Sequence, residues 1–269
     1  MKNIAVIMSI YKNDKPKYVI NAIESIKGQT YTYWHLFICA DGYIDPFIDK
    51  YINENLNRIT YIKREKNKGL AFSLNQLIDK VLENEKYHYI ARMDADDISI
   101  NTRFEKQANY MKNNPNIQVL GGKCVEFGSK NARKTCSIYF SNDEIYKNIF
   151  KKCPFVHPTV LFKTEIFKQG IRYPINNPAT EDIALWFLLT EKKIKFGNLN
   201  ENLIKFRIDD NTILRRHGFK KAITEFKIRF YYLFILKRFN PSDIFYTFSH
   251  FIVRILPLYI FKKIYRKKG

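Results

Sequence analysis

The sequence predicts an α/β fold: a mostly parallel central sheet flanked by helices, followed by C-terminal amphipathic helices. Three observations lead there. Short apolar runs alternate with stretches whose apolar residues recur at helical spacing. Glycine, proline and Asp-Gly or Asn-Lys-Gly turns separate them. Three of the runs end on polar or acidic residues, Ser9-Ile-Tyr11, Ala40-Asp41-Gly42 and Asp94-Ala-Asp96-Asp97. Such an alternation implies parallel strands with right-handed crossovers and a ligand site outside the carboxyl ends of the strands.

Taken in order, residues 4–10 form a continuous apolar run and read as the first buried strand. One lysine precedes the run and Tyr11-Lys-Asn-Asp14 interrupts it, too soon for a secretory signal. A helix over 16–27 is expected from Val19, Ile20, Ala22, Ile23 and Ile26, which share one face. A strand over 34–40 ends at Asp41-Gly42, and a weaker helix near 45–55 leads to a strand over 59–64. The turn Asn67-Lys68-Gly69 opens a helix through 71–82, and the strand 87–93 runs into the acids. After Asn101 a helix reaches Asn113, Pro115 stops it, and 119–127 reads as another strand. From Gly128 onward Pro154, Pro158, Pro174 and Pro178 break the pattern. No repeat and no Gly/Ser linker is visible.

A chain of 269 residues with 46% hydrophobic content can bury a sizeable core. Cys39, Cys124, Cys136 and Cys153 form no CxxC pair and no metal-ligand spacing, which fits reduced thiols in a cytosolic protein. The net charge is +20, and residues 215–269 hold fourteen Lys or Arg against Glu225 and Asp243, so +12 sits on the last fifth of the chain. The same stretch is dense in aromatics, with an apolar run over 244–261 that contains His250, Arg254 and Pro257. Those three make spanning a bilayer costly. Basic and aromatic residues interleaved along helices suit the headgroup boundary of an anionic membrane. A nucleic-acid partner is disfavoured, because solvent-exposed phosphate binders rarely carry such long Leu, Ile and Phe runs. A packed helical pair with a basic face is the plainer reading of the same residues.

Asp94, Asp96 and Asp97 lie where an apolar strand gives way to a loop. Like charges this close repel, so a cation is expected among them. Carboxylates are hard ligands suited to Mg²⁺ or Mn²⁺ shared with substrate phosphates. A solvated acidic turn or a helix cap is the alternative.

At this point the chain resembles the family 2 glycosyltransferases with the GT-A fold, over residues 1–210. The resemblance rests on Ser9-Ile-Tyr11-Lys-Asn-Asp14, Gln29-Thr30, Ala40-Asp41-Gly42 and Asn67-Lys-Gly69-Leu-Ala-Phe-Ser-Leu-Asn75. It continues through Arg92-Met-Asp94-Ala-Asp96-Asp97, His157-Pro-Thr159 and Thr180-Glu181-Asp182. Each motif is weak alone; their order and spacing make them specific. The resemblance implies inverting, metal-dependent transfer of a hexose, galactose or glucose favoured, from a UDP-sugar. The acceptor would be a saccharide, polyprenyl-diphosphate-linked, in O-antigen, capsule or lipooligosaccharide synthesis. The enzyme would be cytoplasmic and peripheral, on the inner face of a bacterial cytoplasmic membrane.

The resemblance also assigns roles. Ser9 and Tyr11 would line the base and ribose pocket, and Asp41 would accept the uracil N–H. Lys68 and Gly69 would face the nucleotide. Asp94 would meet ribose or metal, Asp96 would be the metal ligand, and Asp97 a second ligand or a grip on the donor sugar. Arg92 would pair with one of these carboxylates, and Arg207 would meet the diphosphate. Asp182 would be the catalytic base, with Glu181 orienting the acceptor and His157 as a possible participant. Residues 1–120 would form the nucleotide-sugar half, 121–214 the acceptor half and 215–269 the membrane-associating tail. One departure matters: relatives often carry Tyr-Arg-x-His where this chain has Phe206-Arg207-Ile208-Asp209. Arg215, Arg216 and His217 lie just downstream and would compensate. The rival function is a sugar nucleotidyltransferase, which would show a Gly-rich loop after the first strand; Ser9-Ile-Tyr-Lys-Asn has no glycine.

Overall fold

In the computed structural model, residues Asn3–Ile10, Trp34–Ala40, Ile59–Lys63 and Tyr87–Met93 form strands β1 to β4, paired in parallel in the order β3-β2-β1-β4. The structure describes residues 2–129, 132, 138–177, 179–209, 214 and 216–267. Cys136, Pro178, Arg215 and Lys268, singled out in the sequence, lie outside the described residues. The β1 side chains alternate between two apolar layers, as the pleat demands. Ala5 and Ile7 meet Leu74, Leu77 and Ile78 of helix α3 (Leu70–Leu82) on one face. Ile4, Val6 and Met8 meet Val19, Ile23 and Ile26 of α1 (Pro16–Lys27) on the other. Burial on both faces explains why these strands read as continuous apolar runs. Helix α2 (Pro46–Glu54) is capped by Asp45, whose carboxylate accepts the Phe47 N–H at 2.8 Å.

The far half of the eight-stranded sheet is mixed. After the two-residue β5 (Ile98–Ser99) and α4 (Arg103–Asn113) comes β6 (Val119–Phe127). Helix α5 (Asn142–Asn148) and a 3₁₀ turn at His157–Thr159 lead to β7 (Leu161–Lys163), which lies antiparallel between β4 and β6. Helices α6 (Glu165–Lys168) and α7 (Glu181–Glu191) precede β8 (Phe196–Arg207), which runs parallel to β6 with β5 on its outer edge. The expected strands and helices up to β6 are present within a residue or two of their predicted ends. β5, β7 and β8 were not foreseen.

Three helices follow: α8 (Phe219–Ile235), α9 (Pro241–Ile255) and α10 (Leu258–Lys267). α8 belongs to the core, burying Ile228, Tyr232 and Leu233, with the Tyr232 ring stacked on Phe187 of α7 at 5.1 Å. α9 packs on α8 through Phe226, which meets Phe248 and Phe251. A buried ion cluster joins the two helices. Glu225, 1% exposed, pairs with Arg229 at 2.9 Å and with Arg254. Arg229 also donates to the carbonyls of Ile149 and Phe150, anchoring the pair to the loop after α5. The outer face is apolar and exposed at Phe230, Phe234, Phe245, Phe248, Ile252 and Ile255. Among the described residues, no helix is long and apolar enough to cross a membrane.

Candidate functional site

Two cavities adjoin at the carboxyl edge of the sheet, and Asp94 and Phe206 line both. The smaller, about 360 Å³, lies over the ends of β1, β2 and β4. Ser9, Tyr11 and Asp14 enter it from β1, Asp41, Asn67 and Gly69 from the loops after β2 and β3, and Asp94 and Asp96 from β4. The Tyr11 N–H donates to Asp14 at 2.8 Å, which fixes the turn where the β1 strand ends. Gly42 has φ +83°, and a Cβ there would lie 2.8 Å from the Asn67 nitrogen, so only glycine lets these two loops close.

Asp41 is 3% exposed and braces the site. Its two carboxylate oxygens accept the backbone N–H groups of Lys68 and Gly69, each at 2.8 Å, and Arg64 lies 3.5 Å away. A carboxylate has about four acceptor positions, so it can still take a further N–H from the cavity. Lys68 does not bring its side chain to the cavity; the ammonium is exposed, over the Phe72 ring at 5.7 Å. The backbone of Lys68, turned inward by Asp41, leaves the side chain pointing outward.

The three acids after β4 separate by role. Asp94 pairs with the buried Arg92 and lines both cavities. Asp96 lines the smaller cavity. Asp97, expected as a ligand or a sugar contact, lines neither: it is 1% exposed, and its Oδ1 accepts the Arg207 N–H at 2.7 Å. Burial first, then the charges of Asp94 and Asp96, hold its carboxyl well above the usual carboxylate range. Asp97 thus ties β8 to the acid loop. Arg207, also bonded through Nε to the Asp96 carbonyl at 2.9 Å, sits between the rings of Tyr18 (3.7 Å) and Phe127 (4.3 Å) and lines the smaller cavity.

The larger cavity, about 480 Å³, holds the acid pair. Glu181 and Asp182 open α7, where a helix N-terminus favours negative charge, and Asp182 accepts the Ile183 N–H at 2.8 Å. Burial, then the neighbouring Asp182, raises the Glu181 carboxyl above its usual value. His157 lines the same cavity and shares a 2.9 Å hydrogen bond with the Tyr173 hydroxyl. Its burial, with Arg92 nearby, holds the imidazole well below its ordinary pKa, so it is neutral at pH 7. His217, by contrast, is turned to the Leu256 carbonyl at 2.8 Å. Arg216, named from the sequence as a compensating cation, lines this cavity, and sequence reasoning missed the cations beside it: Lys152, Lys221 and Arg254 line it too. Nothing local marks them, because they come from the α5 loop and the C-terminal helices.

Asp94 and Asp96 are hard oxygen donors on one cavity, a set that suits Mg²⁺ or Mn²⁺. Such ions are commonly held by one or two carboxylates and completed by substrate phosphates and water. Among the described residues, no three His, Cys, Asp or Glu side chains gather closely enough to hold a metal by themselves.

Residues 5–171 match the profile of glycosyl transferase family 2. The UDP-Gal:alpha-D-GlcNAc-diphosphoundecaprenol beta-1,3-galactosyltransferase of Escherichia coli is 30% identical, covering 98% of this chain and 96% of its own. The O-antigen biosynthesis glycosyltransferase WbnJ, also of Escherichia coli, is 33% identical over 78% of this chain and 81% of its own. Among solved structures, the mannosyltransferase PcManGT from Pyrobaculum calidifontis, in complex with GDP-Man and Mn²⁺, superposes with a TM-score of 0.64 at 12% identity, covering 97% of this chain and 72% of that one. The motifs on the sheet edge, the fold and the relatives agree: the chain belongs to glycosyl transferase family 2 and is a GT-A glycosyltransferase.

Proposed function

We propose that the protein transfers a hexose, galactose or glucose, from a UDP-sugar to a lipid-linked saccharide in bacterial surface polysaccharide synthesis, with inversion at the anomeric carbon. The observation that carries this reading is the pair of cavities meeting at Asp94 and Phe206, one with an aromatic and acidic nucleotide-type lining, the other with the Glu181–Asp182 pair. The diphosphoundecaprenol acceptor and UDP-Gal donor named for the Escherichia coli relative support the substrate class. Family membership speaks against the sugar nucleotidyltransferase alternative.

In this reading Tyr11 and Ser9 hold the base and ribose, and Asp41 and Gly69 shape the loop they face. Asp94 and Asp96 hold a Mn²⁺ or Mg²⁺ ion, which supplies positive charge against the leaving diphosphate; the Mn²⁺ of PcManGT supports this choice. Arg207, fixed by Asp97 and Asp96, adds a second cation. Asp182, in the adjoining cavity, takes the proton from the acceptor hydroxyl as that oxygen attacks C1, which forms the new glycosidic bond on the face opposite the departing UDP. Glu181, with its raised pKa, orients the acceptor. The exposed apolar face of α8 and α9, together with the +12 charge of residues 215–269, rests on the anionic inner face of the cytoplasmic membrane.

The test is transfer itself. Purified protein with Mn²⁺ and a panel of UDP-hexoses should elongate GlcNAc- or GalNAc-diphosphate-lipid to a β-linked disaccharide, releasing UDP. An α-linked product would exclude inversion, and release of pyrophosphate would point to the nucleotidyltransferase.

A further inference from the structure

The larger cavity is asymmetric. Its acids come from the sheet edge and α7, whereas its cations come from the α5 loop and the C-terminal segment from Arg216 onward. Asp94 is paired with Arg92, burial and the neighbouring Asp182 raise the Glu181 carboxyl above its usual value, and Glu126 lines the cavity as well. Lys152, Arg216 and Lys221 also line it, from two segments far apart in sequence. Arg216 lies over the Phe206 ring at 5.8 Å, next to the shared boundary of the two cavities. Lys221 donates to the Ala179 carbonyl just before the acid pair, so it stands beside Asp182. Burial holds its ammonium below the usual value while Asp182 pulls it upward, the signature of a cation taken partly out of water. Val253, Phe261 and Ile264 make the remaining wall apolar.

Helix α9 connects this wall to the outside. One face carries His250, Val253 and Arg254 into the cavity. The other carries Ile244, Phe248, Ile252 and Ile255, spaced as one helical stripe, into the exposed apolar surface. An acceptor with a charged head and an apolar chain would therefore find the head site and the chain surface on two sides of the same helix.

Resting on the reading of this cavity as the acceptor site, we propose that Lys152, Arg216 and Lys221 form a diphosphate subsite. It grips the head of a lipid diphosphate, whose chain leaves over Val253, Phe261 and Ile264. A volume of about 480 Å³ lies within the roughly 300–1,000 Å³ of small-molecule sites. The C-terminal helices then do more than hold the enzyme at a surface: they select the acceptor by its charge.

The experiment is direct binding, independent of transfer. Geranyl diphosphate is titrated into the full chain by calorimetry, with saturating UDP filling the smaller cavity, and geraniol serves as the uncharged control. Wild type should bind the diphosphate and show no measurable binding of geraniol. Arg216→Gln and Lys152→Met should each weaken binding at least tenfold, while thermal melting confirms that each variant is folded. The proposal is overturned if either folded variant binds geranyl diphosphate as wild type does, if geraniol binds equally well, or if wild type does not bind it. A protein that binds the diphosphate but transfers no hexose leaves the subsite standing and removes the transferase assignment of the cavity instead.

Discussion

Glu225→Gln isolates the interaction that joins the C-terminal helices to the domain. The carboxylate is 1% exposed, with Arg229 at 2.9 Å, Arg254 in contact and the His250 ring 3.8 Å away. Burial alone would raise its pKa, but Arg229 and then Arg254 outweigh it and bring the value from 4.5 to about 2. That drop corresponds to roughly 3 kcal/mol favouring the folded, ionised state. Removing one partner of a buried pair costs about 3–5 kcal/mol, because the remaining charge stays buried. The low end applies here, since Arg229 keeps the Ile149 and Phe150 carbonyls. At about 2–4 °C per kcal/mol for a chain of this size, the variant should melt roughly 6–12 °C below wild type at pH 7. The pKa is depressed on folding, so the stabilisation is fully present above 4.5 and is lost as pH falls through about 2. Melting curves by circular dichroism from pH 8 to pH 3 should show a constant gap down to about pH 5 that narrows below it. A variant melting within about 2 °C of wild type at pH 7, or a gap that closes as pH rises, would refute the reasoning.

Other expectations are simpler. Asp96→Ala, and wild type in EDTA, should both lose transfer while the melting temperature stays within a few degrees; full activity in EDTA would remove the metal from the mechanism. Asp182→Asn keeps the shape but cannot accept a proton, so kcat should fall by roughly 10² or more with the KM for donor little changed. A near-normal rate would move the base to Glu181 or His157. The double change Phe245→Ser, Ile252→Ser touches only exposed positions, so stability should shift by less than about 1 kcal/mol. Sedimentation with anionic vesicles should nonetheless drop, and undiminished binding would place the contact elsewhere. The basic residues near the surface contribute on the order of 1 kcal/mol each, which makes that binding salt-sensitive.

Much of the donor half was legible because its signals are local. Strands buried on both faces write themselves as unbroken apolar runs, as in 4–10 and 87–93, and α1 and α3 bury one stripe each. The acids, Asp41-Gly42 and the acid pair stood out because polar residues at strand and helix ends have little use in a core. α7 and β8 gave no such pattern. α7 is buried nearly all round, from Ile183 to Thr190, so no stripe marks it as a helix. β8 carries an exposed Asn200-Glu201 step where its register against β6 shifts. β7 has only three residues and is a strand because β4 and β6 flank it.

What the sequence determined by itself was the fold class, the family and which residue types gather at the sheet edge, since each depends on spacing along the chain. Which acid does what was decided by tertiary contacts. Asp97 turns inward because the Arg207 N–H of β8, 110 residues away, meets it there, and Asp41 braces Lys68 and Gly69 while lining the smaller cavity. The C-terminal helices likewise read as a basic, greasy tail, because charge and hydropathy are all that a linear count can report. Only the buried Glu225–Arg254 pair and the placement of Lys221 beside Asp182 made them a wall of the larger cavity. Burying a charge requires its partner to arrive through space, and no local pattern encodes that partner.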